Sequence, residues 1–338
     1  MKKPVTIKEI AKHLGLSFST VSRALHGHPS ISQATQQRVK DTAAEMGYEP
    51  NQTAIFFQQG KTFTIGVILP ELAEAFFAEA ISAIEDVAYK KNYTIMLAQS
   101  HDDEEREKLL VEKLRTHRID GLLVSVAKNT NNFEHFEQLK KYNIPVVYFD
   151  RIPPIKNIHY VACNIETGSI EAINYLLKRG HRNIGLINGP NSLISSGQRK
   201  EGYITAIQKN RLKYDPAYTI NCDMTEEGTK KALEELLNYK RPPSAILCFN
   251  DYVAAFAIKH ALKLGVKVNQ DIEFVSFANT PITEYMGYPP LASVEQFPSI
   301  QGQRATDTLI DLIKNGEDND SAFYKIIIES ELIEHDSN

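Results

Sequence analysis

The sequence predicts a small all-α helix-turn-helix domain followed by an α/β core of two lobes, each with a parallel sheet flanked by helices. Three observations predict it. Residues 5–47 carry apolar side chains at helical spacing, broken by capping residues and glycines. From Thr64 onward, apolar runs of strand length alternate with amphipathic helical stretches. The order then repeats: "TIGVILP" is echoed by "NIGLINGP", and "DGLLVS" by "SAILCF".

In the first fifty residues, Thr6-Ile7-Lys8-Glu9 reads as a capping box, with the Thr6 hydroxyl accepting from the Glu9 amide and Glu9 reaching back. The helix it opens presents Ile7, Ile10, Ala11 and Leu14 on one side, and Gly15 breaks it. Ser17 caps a second helix, Phe18 to Leu25, with Val21 and Leu25 as its inner face. His26-Gly27-His28-Pro29 cannot continue that helix. Ser32 caps a third, with Val39, Ala43 and Met46 inward and Gly47 ending it. Ala11, Gly15 and Val21 supply what a helix-turn-helix needs: a small residue at the crossing, a glycine in the turn, and an apolar anchor.

The second helix of such a motif lies in the major groove and points its N-terminal side chains at base edges. Here it offers Phe18, Ser19, Thr20, Ser22 and Arg23. Arg23 suits the bidentate pair with guanine. Thr6, Lys8, Ser17 and Thr20 suit phosphates, which position without specifying. Charge agrees. Residues 1–62 carry eight Lys and Arg against four acids, a net +4, so the whole-chain charge of −4 leaves the rest at −8. A basic head on an acidic body points to a polyanionic partner for the head alone.

In the core, Ile65–Pro70, Tyr93–Leu97, Leu122–Val126 and Val146–Phe149 read as strands of one lobe, and Ile184–Ile187 and Ala245–Phe249 as strands of the other. Glu79–Lys90, Glu104–Arg115, Arg199–Lys209 and Glu226–Asn238 read as helices. Continuous apolar strands are the mark of a parallel sheet buried on both faces. Ligands in such lobes sit beyond the carboxyl ends of the strands.

Other classes are excluded. No run approaches the ~20 apolar residues of a membrane span. The basic N-terminus is followed by an amphipathic stretch, which does not read as an export signal. Cys163, Cys222 and Cys248 make neither a metal-spaced pair nor a disulfide framework, fitting a reducing cytoplasm. No GxxxxGK[ST] loop, dinucleotide fingerprint, GxSxG elbow or HExxH pair is present, so no catalytic residue, cofactor or metal is expected. A transport binding protein would share the two lobes but lack the head.

Taken whole, "VTIKEIAKHLGLSFSTVSRALHGHPSISQATQQRVKDTAAEMGYEPN" closely resembles the head of the lac repressor family of bacterial regulators. The resemblance continues through "IGVILPELAEAFFAEAISAIED", "RIDGLLVS", "VVYFDR", "RGHRNIGLINGP", "RKEGYITAI", "ILCFNDYVA" and "PPLASVEQF". It implies a DNA-binding head over 1–50, a hinge over 51–61, and a periplasmic-binding-protein-like core over 62–338. The first lobe would be 62–161 with about 293–322, and the second 162–292 with 323–335. It implies a cytoplasmic homodimer on a near-palindromic double-stranded DNA operator. The regulator is expected to be a repressor, with an activator as the alternative, and to answer to a small-molecule effector of carbohydrate type.

By the same resemblance, the hinge contacts the operator through Asn51, Ala54 and an apolar wedge that unstacks a base step in the minor groove. Phe57 stands at the wedge position with Phe56 beside it, leaving open which inserts. Ile55 replaces a usually polar residue, and His26 stands where asparagine is common. The effector set carried over is Phe77, Ser125, Asp150, Arg199, Asp251 and Asn279. Ala278 stands where the family has an aspartate. Either Asn279 or Glu284 substitutes for it, or the effector is an acidic or phosphorylated sugar, for which a missing carboxylate removes a repulsion.

Overall fold

The computed structural model describes residues 5–49, 60–316 and 323–335, in two compact units divided at Thr62/Phe63.

The described residues of the first unit form three helices, α1 (Ile7–Leu14), α2 (Phe18–Leu25) and α3 (Gln33–Glu45). The local chemistry sets their ends. The Thr6 amide donates to Glu9 at 2.7 Å, and the Glu9 amide donates back to the Thr6 hydroxyl at 3.3 Å. Gly15 ends α1 at φ 66°, in the left-handed region that glycine enters without strain. Ser17 and Ser32 cap α2 and α3 through the amides of Thr20 and Thr35. Ile10, Ala11, Val21, Ala24, Val39 and Ala43 form the small core. The inner face of α2 is Val21 with Ala24; Leu25, expected there, is only half-buried. The small Ala24 side chain faces the core while the bulkier Leu25 packs at its margin.

The second unit holds two six-stranded sheets. The first contains β1 (Thr64–Leu69), β2 (Thr94–Gln99), β3 (Gly121–Val124), β4 (Val146–Phe149), β5 (His159–Asn164) and β11 (Lys325–Glu329), in the order β11-β5-β4-β3-β1-β2. The second contains β6 (Ile184–Asn188), β7 (Thr219–Asn221), β8 (Ala245–Cys248), β9 (Glu273–Phe277), β10 (Ala292–Glu295) and β12 (Glu331–Glu334), in the order β12-β10-β9-β8-β6-β7. All pairings are parallel except β10 with β12.

The helices on the first sheet are α4 (Ala75–Lys90), α5 (Glu104–Thr116), the short α6 (Glu134–Glu137) and, from late in the chain, α11 (Pro298–Asn315). Those on the second are α7 (Ile165–Lys178), α8 (Ile194–Lys209), α9 (Glu226–Leu237) and α10 (Asp251–Lys263). The two halves repeat a packing device. Gly302 of α11 lies so close to α4 that a β-carbon would come within 2.5 Å of the Ala80 carbonyl. Gly202 of α8 lies equally close to α7, where a β-carbon would collide with the Glu166 carbonyl.

One expected boundary needs correcting. The C-terminal segment 323–335 does not belong wholly to the second lobe. Lys325–Glu329 pairs with β5 in the first sheet, and only Glu331–Glu334 pairs with β10 in the second. Ser330 sits at the crossing, where its hydroxyl donates to the Asn164 carbonyl at 2.9 Å. The chain therefore crosses between sheets three times, after Asn164, after Glu295 and at Ser330.

Candidate functional site

In the head, α2 turns Val21 and Ala24 inward, which leaves Ser19, Ser22, Arg23 and His26 along one outward stripe at spacings of three and four. Ser19, Arg23 and His26 are exposed and Ser22 half-buried. Phe18, at the start of the helix, is 53% exposed, an unusual position for a phenylalanine without a partner. The Ser17 hydroxyl lies 2.9 Å from Ser19 Oγ and 2.8 Å from Thr20 Oγ1 while capping the helix. His26 Nδ1 donates to the Ser22 carbonyl at 2.7 Å, which fixes the ring against the helix end. Thr6 is held in its capping box. Asn51, Ala54 and Phe57, with Ile55 and Phe56, lie outside the described residues.

Between the two sheets of the core is a cavity of about 760 Å³, within the range of small-molecule sites. Its walls come from the carboxyl ends of strands in both sheets. Phe77, Asp150 and Arg199, three of the residues carried over by the resemblance, line it. Asp150 follows β4 at φ 58°, half-buried, and accepts a hydrogen bond from Ser125 at 3.3 Å. Ser125 is fully buried behind it and does not line the cavity, so its part is to orient Asp150.

Arg199 is the most unusual group. It is 2% exposed, on α8, and its guanidinium carbon lies 4.0 Å from the centre of the Phe249 ring and 4.2 Å from that of Phe277. Its Nη1 donates to the Ser195 carbonyl at 3.2 Å, while Nε, also buried, has no hydrogen-bond partner. Among the described residues no carboxylate comes within ion-pair distance of it. Burial pushes its guanidinium down to about 9, against the pull of Asp150. Asp150 is pushed the other way by its own burial, only partly offset by Arg151, Arg199 and the Ser125 bond. Arg151 is committed elsewhere, donating to Asp102 at 2.6 Å with its guanidinium 5.7 Å from the Phe77 ring centre. Glu74, on the same wall, is also raised, first by burial. Cys163 lines the cavity with its thiol pushed up to about 12 by burial, which makes it unreactive.

Asp251 and Asn279 need correcting. Asp251 is fully buried and lies off the cavity. Its carboxylate accepts from Ser276, from Ser293 at 2.7 Å, and from the Thr280 amide and hydroxyl at 2.6 and 2.8 Å. It is a staple for the loop after β9. Asn279 is equally occupied: its Nδ2 donates to Glu295 at 3.0 Å and its Oδ1 meets His335 Nε2 at 3.1 Å. Neither Asn279 nor Glu284 replaces the missing carboxylate, because neither lines the cavity; Ala278 itself does, at φ 92°. The sequence reading missed Asn250, which stands one position before Asp251 and does line the cavity while its Oδ1 caps α10. It also missed Glu74, Arg151, Tyr252 and Gln296. The signal for Asn250 was in "FNDYV", where either polar residue suits a strand end.

A helix-turn-helix head on a two-sheet core with a cavity between its sheets defines the class of ligand-sensing DNA-binding proteins. The comparisons bear this out. Residues 6–51 match the profile of bacterial regulatory proteins of the lacI family, and residues 62–335 that of the periplasmic binding proteins and sugar binding domain of the LacI family. The chain is similar to the transcriptional repressor CytR of Escherichia coli K12, with 31% identity over 90% of this chain and 89% of that one. Its fold is that of the lac repressor dimer bound to operator and the anti-inducer ONPF, with a TM-score of 0.82, 24% identity and 98% of each chain covered. It is also similar to a LacI-type regulator from Alkaliphilus metalliredigens complexed with D-xylulofuranose, with a TM-score of 0.69, 28% identity, and 80% of this chain and 97% of that one covered. The chain belongs to the lacI family and is a DNA-binding transcriptional regulator. No helix among the described residues is long and apolar enough to cross a membrane.

Proposed function

We propose that the protein is a cytoplasmic repressor, without enzymatic activity, that binds a near-palindromic operator as a homodimer and is controlled by a small molecule held between the two sheets of its core. We assign residues 1–50 to the head, 51–61 to the hinge, and the rest to two lobes that follow the two sheets. In this reading Arg23 pairs with a guanine edge, Ser17, Thr20 and Thr6 hold phosphates, and Phe18, Ser19, Ser22 and His26 complete the groove-facing stripe. Asn51, Ala54 and Phe57 belong to the hinge contacts.

The observation that carries ligand control is Arg199. A buried guanidinium with an unpartnered Nε is costly unless something binds it. It stands in the wall of a cavity of about 760 Å³, opposite Asp150 and Phe77. The effector is a polar molecule of sugar size, and the sugar bound in the Alkaliphilus regulator supports that class. Its binding favours one closure of the lobes and so changes operator affinity.

The test is selection of bound DNA from a random pool by the purified full-length protein at stated salt. Recovery of a palindrome is the expected result. Operator binding is then titrated with pooled sugars and sugar acids. A reporter behind the recovered operator separates repression from activation: loss of the gene raises output for a repressor and lowers it for an activator. Recovery of single half-sites would refute the dimer.

A further inference from the structure

The charges on the cavity wall are divided unevenly between the sheets. Among the described residues every carboxylate lining it, Glu71, Glu74 and Asp150, comes from the first sheet's side, as do Arg151, Lys156 and Lys325. On the second sheet's side Arg199 is the only charged lining residue among those described. Ala278 meets the cavity on that side with a methyl group, and the nearby Asn279 and Glu284 do not line it. Asp251 spends its carboxylate on its own set of four donors. Asp150 pulls on Arg199 through space, but among the described residues no ion pair joins the two.

We propose that the effector is an anionic, hydroxyl-rich molecule, a sugar acid or a sugar phosphate, whose negative group pairs with Arg199 on the carboxylate-free wall while its hydroxyls donate to Asp150 and Glu74 on the other. This rests on the reading of the cavity as the effector site. A guanidinium packed against two phenylalanine rings has low hydration and two or more N–H groups to offer, the arrangement that binds carboxylate or phosphate oxygens in a fork. A neutral sugar offers the guanidinium hydroxyl oxygens but no opposite charge. An anion cancels the buried charge, and no acidic side chain on that wall repels the anion.

The test uses the full-length protein and isothermal titration calorimetry with D-gluconate, D-galacturonate and glucose 6-phosphate, against D-glucose and D-galactose. At least one acid is expected to bind ten or more times more tightly than its neutral counterpart, and the carboxylate and phosphate arms show which anion is preferred. Ala278→Asp places a carboxylate on the wall and is expected to weaken that acid at least tenfold. Ala278→Asn is the uncharged control, since Asn and Asp both tolerate positive φ, and is expected to stay within threefold of the parent. If neutral sugars bind as tightly as the acids and Ala278→Asp leaves the acids unaffected, the anion assignment is wrong while the cavity reading stands. If ligands bind but Arg199→Met binds them unchanged, the cavity reading itself fails, and this inference with it.

Discussion

Replacing Asp251 separates a structural carboxylate from a ligand-binding one. The side chain is 0% exposed and accepts four hydrogen bonds, with one oxygen serving Ser276 and Ser293 and the other serving the amide and hydroxyl of Thr280. Truncation to alanine strands four buried donors. The three hydroxyls can turn to other acceptors, but the Thr280 amide cannot. At about 1–3 kcal/mol per stranded donor, and less for those that re-aim, Asp251→Ala costs roughly 4–6 kcal/mol. That is a large part of the ~5–15 kcal/mol that holds a domain folded. Asp251→Asn keeps one oxygen for Thr280 and turns its NH₂ toward two serine hydroxyls that can accept, so it costs only about 1–2 kcal/mol. At roughly 2–4 °C per kcal/mol this is a drop of about 2–8 °C in Tm. The chain contains no tryptophan, so far-UV circular dichroism in urea and on heating is the suitable assay. Equal losses for the two variants, or a loss below about 1 kcal/mol for alanine, would refute the four-bond account. A stable Asp251→Asn protein that no longer binds effector would place Asp251 in the cavity after all.

Three further outcomes are expected. Arg199 has its folded-state pKa lowered to about 9, so the unfolded chain binds the extra proton more readily and the charge opposes folding at neutral pH. Arg199→Met is expected to raise apo stability by roughly 2–4 kcal/mol at pH 7, a gain that shrinks by about 1.4 kcal/mol per unit once pH passes about 9; urea titrations at pH 7 and 10 read it, and a constant gain contradicts it. Glu107, fully buried, accepts from the Ala127 amide at 2.7 Å, the Thr130 hydroxyl at 2.9 Å and His135 Nε2 at 3.1 Å, thereby holding the loop that forms one cavity wall. Glu107→Ala should cost about 3–5 kcal/mol and speed amide exchange at Ala127 by at least a hundredfold, whereas unchanged protection there would show that the loop holds itself. In the head, Arg23→Gln should cost about 1–3 kcal/mol on the selected operator and little on random DNA; fluorescence anisotropy at fixed salt tells the two apart, and an equal loss on both sequences would make Arg23 a phosphate contact.

What the sequence made legible follows from where the determinants are local. Helix ends in the head rest on neighbours within three residues, so Thr6, Ser17, Ser32 and Gly47 announce themselves. Buried parallel strands such as Val146–Phe149 are continuous apolar runs and stand out in the same way. β5 reads less plainly, because His159–Asn164 alternates buried and half-buried residues. Glycine pairing of α11 with α4 leaves Pro298–Asn315 with few large apolar residues to betray it. The cavity was half legible for a different reason. Arg199, Asp150 and Phe77 sit at strand ends or on a helix facing them, where topology predicts a ligand. Asp251 and Asn279 have the same chemistry and nearly the same position, and only the three-dimensional set of donors around them shows that their capacity is already used.

That exhausted capacity bears on how a ligand can work the two sheets. Asn279 adjoins Ala278 on the cavity wall and binds Glu295, whose other oxygen accepts from the Phe297 amide at 2.7 Å where the chain crosses back to the first sheet at φ 52°. A second crossing is tied to the third, with Asn164 Nδ2 donating to Glu329 at 2.9 Å and Ser330 donating to the Asn164 carbonyl. The crossings are thus bonded into the ends of the strands they join, and movement between the sheets must pass through them. A ligand shifts such an equilibrium only by the difference in its affinity for the two arrangements, and turning a 1:99 population into 99:1 takes about 5.5 kcal/mol. A molecule held by Arg199 alone touches one sheet and gains nothing from closure. A molecule that reaches Asp150 or Glu74 as well makes its second set of bonds only when the sheets approach, and a few charge-assisted hydrogen bonds at about 1.5–3 kcal/mol each supply that difference. The working part of the effector is therefore its span between the two walls, and ligands that keep the anion but lack the far hydroxyls should bind without changing operator affinity.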